Sequence, residues 1–131
     1  MNADEMNCPF CSIQDDLVVF ESNLAFAIKD GFPLSQGHTL VIPRRQVASF
    51  FDLTEGEHDE MRALLIRSKG KLDAEFSPDG YNIGVNDGPA AGQTVGHLHV
   101  HLIPRYKGDA ADPRGGIRWI IPEKADYWSK R

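Results

Sequence analysis

Apolar and polar positions along the chain fall into six periodic segments separated by turn residues. Residues 17–20 and 24–28 are β-prone runs joined by Glu21, Ser22 and Asn23, a spacing that predicts a hairpin. Residues 30–37 hold two glycines and one proline, which marks a loop, and the apolar run 38–42 reads as a third strand stopped by Pro43. Thr54-Glu-Gly-Glu57 matches a capping box and starts a helix. Met61, Leu64, Leu65, Leu72 and Phe76 continue its apolar stripe, with Ser68 as a polar gap, so the helix is expected over 55–76. Residues 81–85 predict a fourth strand, 86–96 a Gly-rich loop, and 97–103 a fifth strand closed by Pro104.

The order is βββαββ. Strands joined by short links pair antiparallel, and one amphipathic helix covers one sheet face, so the expected class is α+β: a five-stranded antiparallel sheet with one long helix. There is no internal repeat and no second domain. Residues 1–106 read as the core. The tail, 107–131, is irregular, but Ile117, Trp119, Ile120, Ile121, Tyr127 and Trp128 make it too apolar to hang free, and it is expected to pack on the core or a partner.

Composition narrows the class. A chain of 131 residues can bury a core without disulfides, and 41% apolar with 25% charged residues is neither a disordered nor a fibrous balance. No uncharged apolar run approaches the ~18 residues of a membrane span. The acidic opening MNADEMNCPF differs from a secretory signal, so the cytoplasm is the expected compartment. A net charge of -5 argues against a general nucleic-acid binder. Residues 1–96 hold 7 bases against 15 acids, net -8, and residues 97–131 hold 7 against 4, net +3. An anionic ligand prefers the second part, although a solvated tail gives the same asymmetry.

In His97-Leu-His-Val-His-Leu-Ile103, strand alternation sends His97, His99 and His101 to one face and Leu98, Val100 and Leu102 to the other. Three of the chain's five histidines in one register are hard to explain by packing. Two can share a metal, but the Cα atoms of His97 and His101 lie about 13 Å apart on an extended strand, which disfavours one ion for all three. An extended anion fits the row better, and a neutral imidazole can attack phosphorus. The loop from Asn86 to Gly96 offers three glycines and the side chains of Asn86, Gln93 and Thr94. It could cradle an anion, though a plain turn is the alternative, and it lacks the Lys of a Walker loop. Cys8 and Cys11 are too few for a disulfide framework, which leaves a metal or a bystander role. His58 sits among acids in the helix's first turn and receives no function.

The triad run, together with Gly37-His38-Thr-Leu-Val-Ile-Pro43 and the segment from Asn86 to Arg105, resembles the histidine triad nucleotide hydrolases and transferases. Asp-Gly-Pro followed by Ala-Gly-Gln-Thr-Val looks most like the fragile histidine triad branch, which cleaves dinucleoside polyphosphates; the phosphoramidate hydrolases are nearly as close. The resemblance implies that His99 attacks the α-phosphorus and forms a nucleotidyl-histidine that water hydrolyses. It places His97 and His101 beside it, His38 behind the triad, Gln93 and Thr94 on the phosphates or leaving group, Asn86 at the phosphate end and Asp30 on the ribose. It further implies a homodimer acting on a nucleotide, with no cofactor and no nucleic-acid or membrane partner. Many bacterial members hold zinc through a Cys pair and two histidines, but this chain has Gln46 at one of those positions, so no metal is assigned. A metal-dependent hydrolase and a non-catalytic nucleotide-binding module are the rival readings.

Overall fold

The computed structural model describes residues 8–11, 13 and 15–130; the acidic opening at 1–7 lies outside them. Five strands, β1 (Val18–Glu21), β2 (Ala25–Lys29), β3 (Thr39–Pro43), β4 (Gly80–Gly84) and β5 (Val100–Arg105), and one α-helix, α1 (Glu55–Phe76), follow the expected order. The strands form a single sheet in the order β1-β2-β3-β5-β4, with every neighbouring pair antiparallel.

Alternation along the central strands builds two layers. Ala25, Ala27, Val41, Leu98 and Val100 pack beneath Met61 and Leu64 of α1. Phe26, Ile28, Leu40 and Ile42 point to the opposite face, where Phe10, Ile13 and Val18 pack against them. The sequence predicts a helix over one face only. In the structure the N-terminal segment covers the second face, so positions 25–28 are buried on both sides of β2.

The fifth strand also departs from expectation. Regular pairing begins at Val100 and continues through Pro104 to Arg105, leaving His97 and His99 ahead of the ladder. Outside the ladder, the Leu98 N–H donates to the Val47 carbonyl at 2.7 Å, which ties this stretch to the chain leaving β3. Pro104 does not close the strand, because the Arg105 carbonyl still accepts the Asp79 N–H at 2.8 Å.

Thr54 caps α1 as the motif predicts: its hydroxyl accepts the Glu57 N–H at 3.1 Å, and its own N–H donates to Glu57 Oε1 at 2.9 Å. Arg45, from the β3–α1 connection, donates to both Glu57 oxygens at 2.8 and 3.2 Å. These bonds hold the buried Glu57 carboxyl below its usual range, Arg45 contributing most. At the other end of α1, Gly37 has a φ of +94°, and a Cβ there would lie 2.7 Å from Leu72 Cδ2. Glycine is required at that turn, and His38 follows it directly.

Beyond β5 the tail winds through short 3-10 turns at Gly116–Ile120, Pro122–Lys124 and Trp128–Lys130, the first of them against β4. Arg118 holds it together by donating to the carbonyls of Ala125 and Lys124. Among the described residues no helix is long and apolar enough to cross a membrane.

Replacing Thr54 with Ala removes the N-terminal cap and is expected to lower unfolding free energy by about 1 kcal/mol in urea titrations. The Glu57 network adds a pH signature of known sign: its stabilisation is complete above the ordinary carboxylate range and disappears as pH falls through the lowered value.

Candidate active site

The β3–β5 pairing sets Leu40 opposite His101, which brings the preceding His38 behind the histidine row. The Leu34 N–H donates to His38 Nδ1 at 3.1 Å, so a neutral His38 carries its proton on Nε2. That nitrogen lies 3.0 Å from His101 Nδ1 and 3.3 Å from Asp30 Oδ2. His101 therefore accepts on Nδ1 and retains Nε2–H as a donor. His99 has the opposite tautomer, because its Nδ1 lies 3.0 Å from the His97 carbonyl, which can only accept. A lone pair is left on His99 Nε2. The His99 and His101 rings stand 5.1 Å apart, and Phe10 packs 4.9 Å from His99 on its other side.

The protonation states agree with this geometry. Burial lowers His38 and His97, opposed by the Asp30 charge in the first case and by the Pro43 carbonyl in the second. His101 is pushed down to about 4, by burial first and then by His99 and His38. These three imidazoles are neutral near pH 7.

His97 is set apart from the row. It is fully buried, and its Nε2 donates to the Pro43 carbonyl at 2.7 Å. Its Nδ1 lone pair faces Cys8 Sγ at 3.1 Å and Cys11 Sγ at 3.7 Å. Cys8 and Cys11 are paired through their sulfurs, and Gln46 Oε1 lies 3.7 Å from Cys11 Sγ. Although the sequence assigns no metal here, the structure gathers two sulfurs and an imidazole with their ligating atoms within 4.8 Å of one another. As thiolates, this donor set fits a zinc-type ion at three corners, with the Gln46 amide oxygen as a weak fourth. Cys8, Cys11, His97 and Gln46 would hold such an ion, which would cross-link the N-terminal segment to the approach of β5.

The Gly-rich loop is braced from within. Gln93 Oε1 accepts the Gly88 N–H at 2.8 Å, and its amide donates both protons, to the Ala48 and Val95 carbonyls. The sequence reading puts this amide on the substrate; in the structure it holds the loop. Asp87 adds a brace that sequence reasoning missed, accepting from Ser49 Oγ and the Phe50 N–H at 3.0 and 2.9 Å. Asn86 and Thr94 remain exposed on the same loop. Asp30 turns one oxygen to His38 and accepts the Phe32 N–H with the other. Phe10 was also missed; the only signal was its place between the two cysteines.

A HIT domain model matches residues 12–108. The chain is 39% identical over 95 residues to the bis(5'-nucleosyl)-tetraphosphatase [asymmetrical] of Schizosaccharomyces pombe, covering 72% of this chain and 52% of that one. It is 37% identical over 103 residues to the AP-4-A phosphorylase of Mycobacterium tuberculosis, covering 78% and 53%. The chain thus spans about half the length of these relatives. Among solved structures, a HIT family protein from Bacillus anthracis superposes with a TM-score of 0.73 at 34% identity, covering 90% of this chain and 89% of that one. A Zn-bound histidine triad family protein from Mycobacterium smegmatis does so with a TM-score of 0.72 at 34% identity, covering 82% and 81%. With sequence, fold and the His97–His101 run in agreement, the chain belongs to the HIT domain family.

Proposed function

We propose that the protein hydrolyses dinucleoside polyphosphates at the α-phosphorus through a covalent nucleotidyl-His99 intermediate. The observation that carries this reading is the His99 tautomer: Nδ1–H bonded to a backbone carbonyl leaves an unprotonated Nε2. Such a nitrogen can form a bond to phosphorus as the bond from phosphorus to the departing phosphate oxygen breaks. His101 supplies the complementary group, an Nε2–H kept by the His38 hydrogen bond, which donates a hydrogen bond to that oxygen as it leaves with its negative charge. Water then attacks the same phosphorus, the P–N bond breaks, the water's proton passes to solvent, and His99 is restored with its Nε2 lone pair. Relatives named bis(5'-nucleosyl)-tetraphosphatase and bis(5'-adenosyl)-triphosphatase support the substrate class.

The retained nucleoside docks beside the partly exposed Phe10, at the rim of the layer that covers Ile28 and Leu40, with Asp30 near its ribose hydroxyls. Asn86 and Thr94 serve the phosphate chain from the rim of the loop. Gln93 acts as a positioning residue that holds the loop in shape. The protein works as a homodimer through the outer edge of β4, which among the described residues carries no strand neighbour and where Ile83 is 58% exposed.

Replacing His99 with Asn preserves a polar side chain but removes the attacking nitrogen, so turnover is expected to fall by on the order of a thousandfold or more while nucleotide binding persists in equilibrium titrations. Undiminished turnover would refute the covalent route. Treatment with EDTA is expected to leave diadenosine tetraphosphate turnover unchanged; loss with recovery on adding zinc would favour the metal-dependent rival. Gln93→Ala is expected to slow cleavage of diadenosine tetraphosphate and adenosine phosphoramidate alike, by about tenfold, the scale of one lost hydrogen bond of ~1.4 kcal/mol. Loss confined to the polyphosphate would put Gln93 on the leaving group instead.

A further inference from the structure

On the face of the sheet that carries His101, a groove of about 680 Å³ runs toward β4. Its inner end is His101, and Asn82 of β4 and Asn86 of the Gly-rich loop line its length. The far wall comes from the tail: Ile117, Trp119 and Ile120. These side chains are 65%, 46% and 79% exposed, a cluster of apolar surface that a folded chain rarely leaves without use. They are held in place by hydrogen bonds. The Trp119 indole N–H donates to the Arg114 carbonyl at 2.7 Å, and Arg118 is fixed to the Ala125 carbonyl at 3.1 Å. The HIT domain match ends at residue 108, so this wall is a feature of the chain's own tail.

We propose that this groove binds the departing nucleoside of a dinucleoside polyphosphate, with its base against Trp119, which makes Trp119 a specificity-determining residue. The inference rests on the reading given under Proposed function. Sheet order supplies the direction: with the retained nucleoside over β2 and β3 and the histidines on the next strand, β5, the departing half extends over β4. Groove chemistry supplies the occupant. A volume in the range of small-molecule sites and apolar walls suit a flat aromatic base, while the Asn86 amide and the Arg105–Asp109 pair, which also holds Asn82, offer polar groups to a hydroxylated sugar. Arg114, paired with Asp112 and stacked on Trp128, and Arg118, bonded to the Ala125 and Lys124 carbonyls, hold the tail in shape. The tail acts through its apolar surface.

Diadenosine tetraphosphate and adenosine tetraphosphate differ by the second nucleoside alone, and comparing them isolates the groove. Trp119→Ala is expected to raise KM for diadenosine tetraphosphate by about tenfold, the scale of one base–aromatic stack, and to change KM for adenosine tetraphosphate by less than twofold. Trp119→Phe, which keeps an aromatic face, is expected to restore most of the difference. Equal losses on both substrates, or no loss on either, would overturn the groove assignment while leaving the His99 chemistry intact. Conversion of a dimer to a monomer by Trp119→Ala in light scattering, with activity on both substrates lost alike, would assign the groove to a subunit interface and also overturn it. Wild-type protein that cleaves neither compound would overturn the hydrolase reading itself.

Discussion

The site depends on the antiparallel pairing of β3 with β5. That ladder places Leu40 opposite His101 and leaves His38, just before β3, within 3.0 Å of the His101 ring. Every later link follows from this contact. The Leu34 N–H fixes the proton on His38, His38 fixes the tautomer of His101, and burial keeps both rings neutral. A shift of one residue in the register would turn His101 toward the helix and Leu102 toward solvent, exposing a side chain that is now 1% accessible. The core that α1 covers therefore fixes which nitrogen of which imidazole holds a proton on the opposite face.

Three adjacent histidines acquire three roles because their partners differ. His97 is withdrawn into the protein by the Pro43 carbonyl and turns its other nitrogen to the cysteine pair. His99 donates to the carbonyl of His97 and stands between the Phe10 and His101 rings, so one nitrogen is left with a free lone pair. His101 leans on His38. Identical side chains on one short stretch are differentiated by backbone carbonyls at His97 and His99, by the His38 ring at His101 and by burial. The Gly-rich loop follows the same principle: Gln93 and Asp87 bond to backbone groups on both sides of it, and the exposed Asn86 and Thr94 are carried on the frame they create.

Much of this was legible in the sequence. The capping box at Thr54, the helix stripe through Phe76, the six-segment order and the in-and-out alternation of the histidines are local signals, set by hydrogen-bond geometry and by periods of 3.6 and 2 residues. Relations between distant segments were not legible. Neither the capture of His97 by Pro43 and Cys8, nor the bonds by which the Gln93 amide braces the loop, nor the cover that Phe10 and Ile13 give the second sheet face has a local pattern. Each depends on groups from separate elements of the chain meeting in space. Periodicity determined which elements form and which side chains share a face; tertiary packing alone decided which backbone carbonyl or side chain stands opposite each imidazole. Since a ring nitrogen's proton follows its nearest acceptor or donor, the chemistry of the site was decided there.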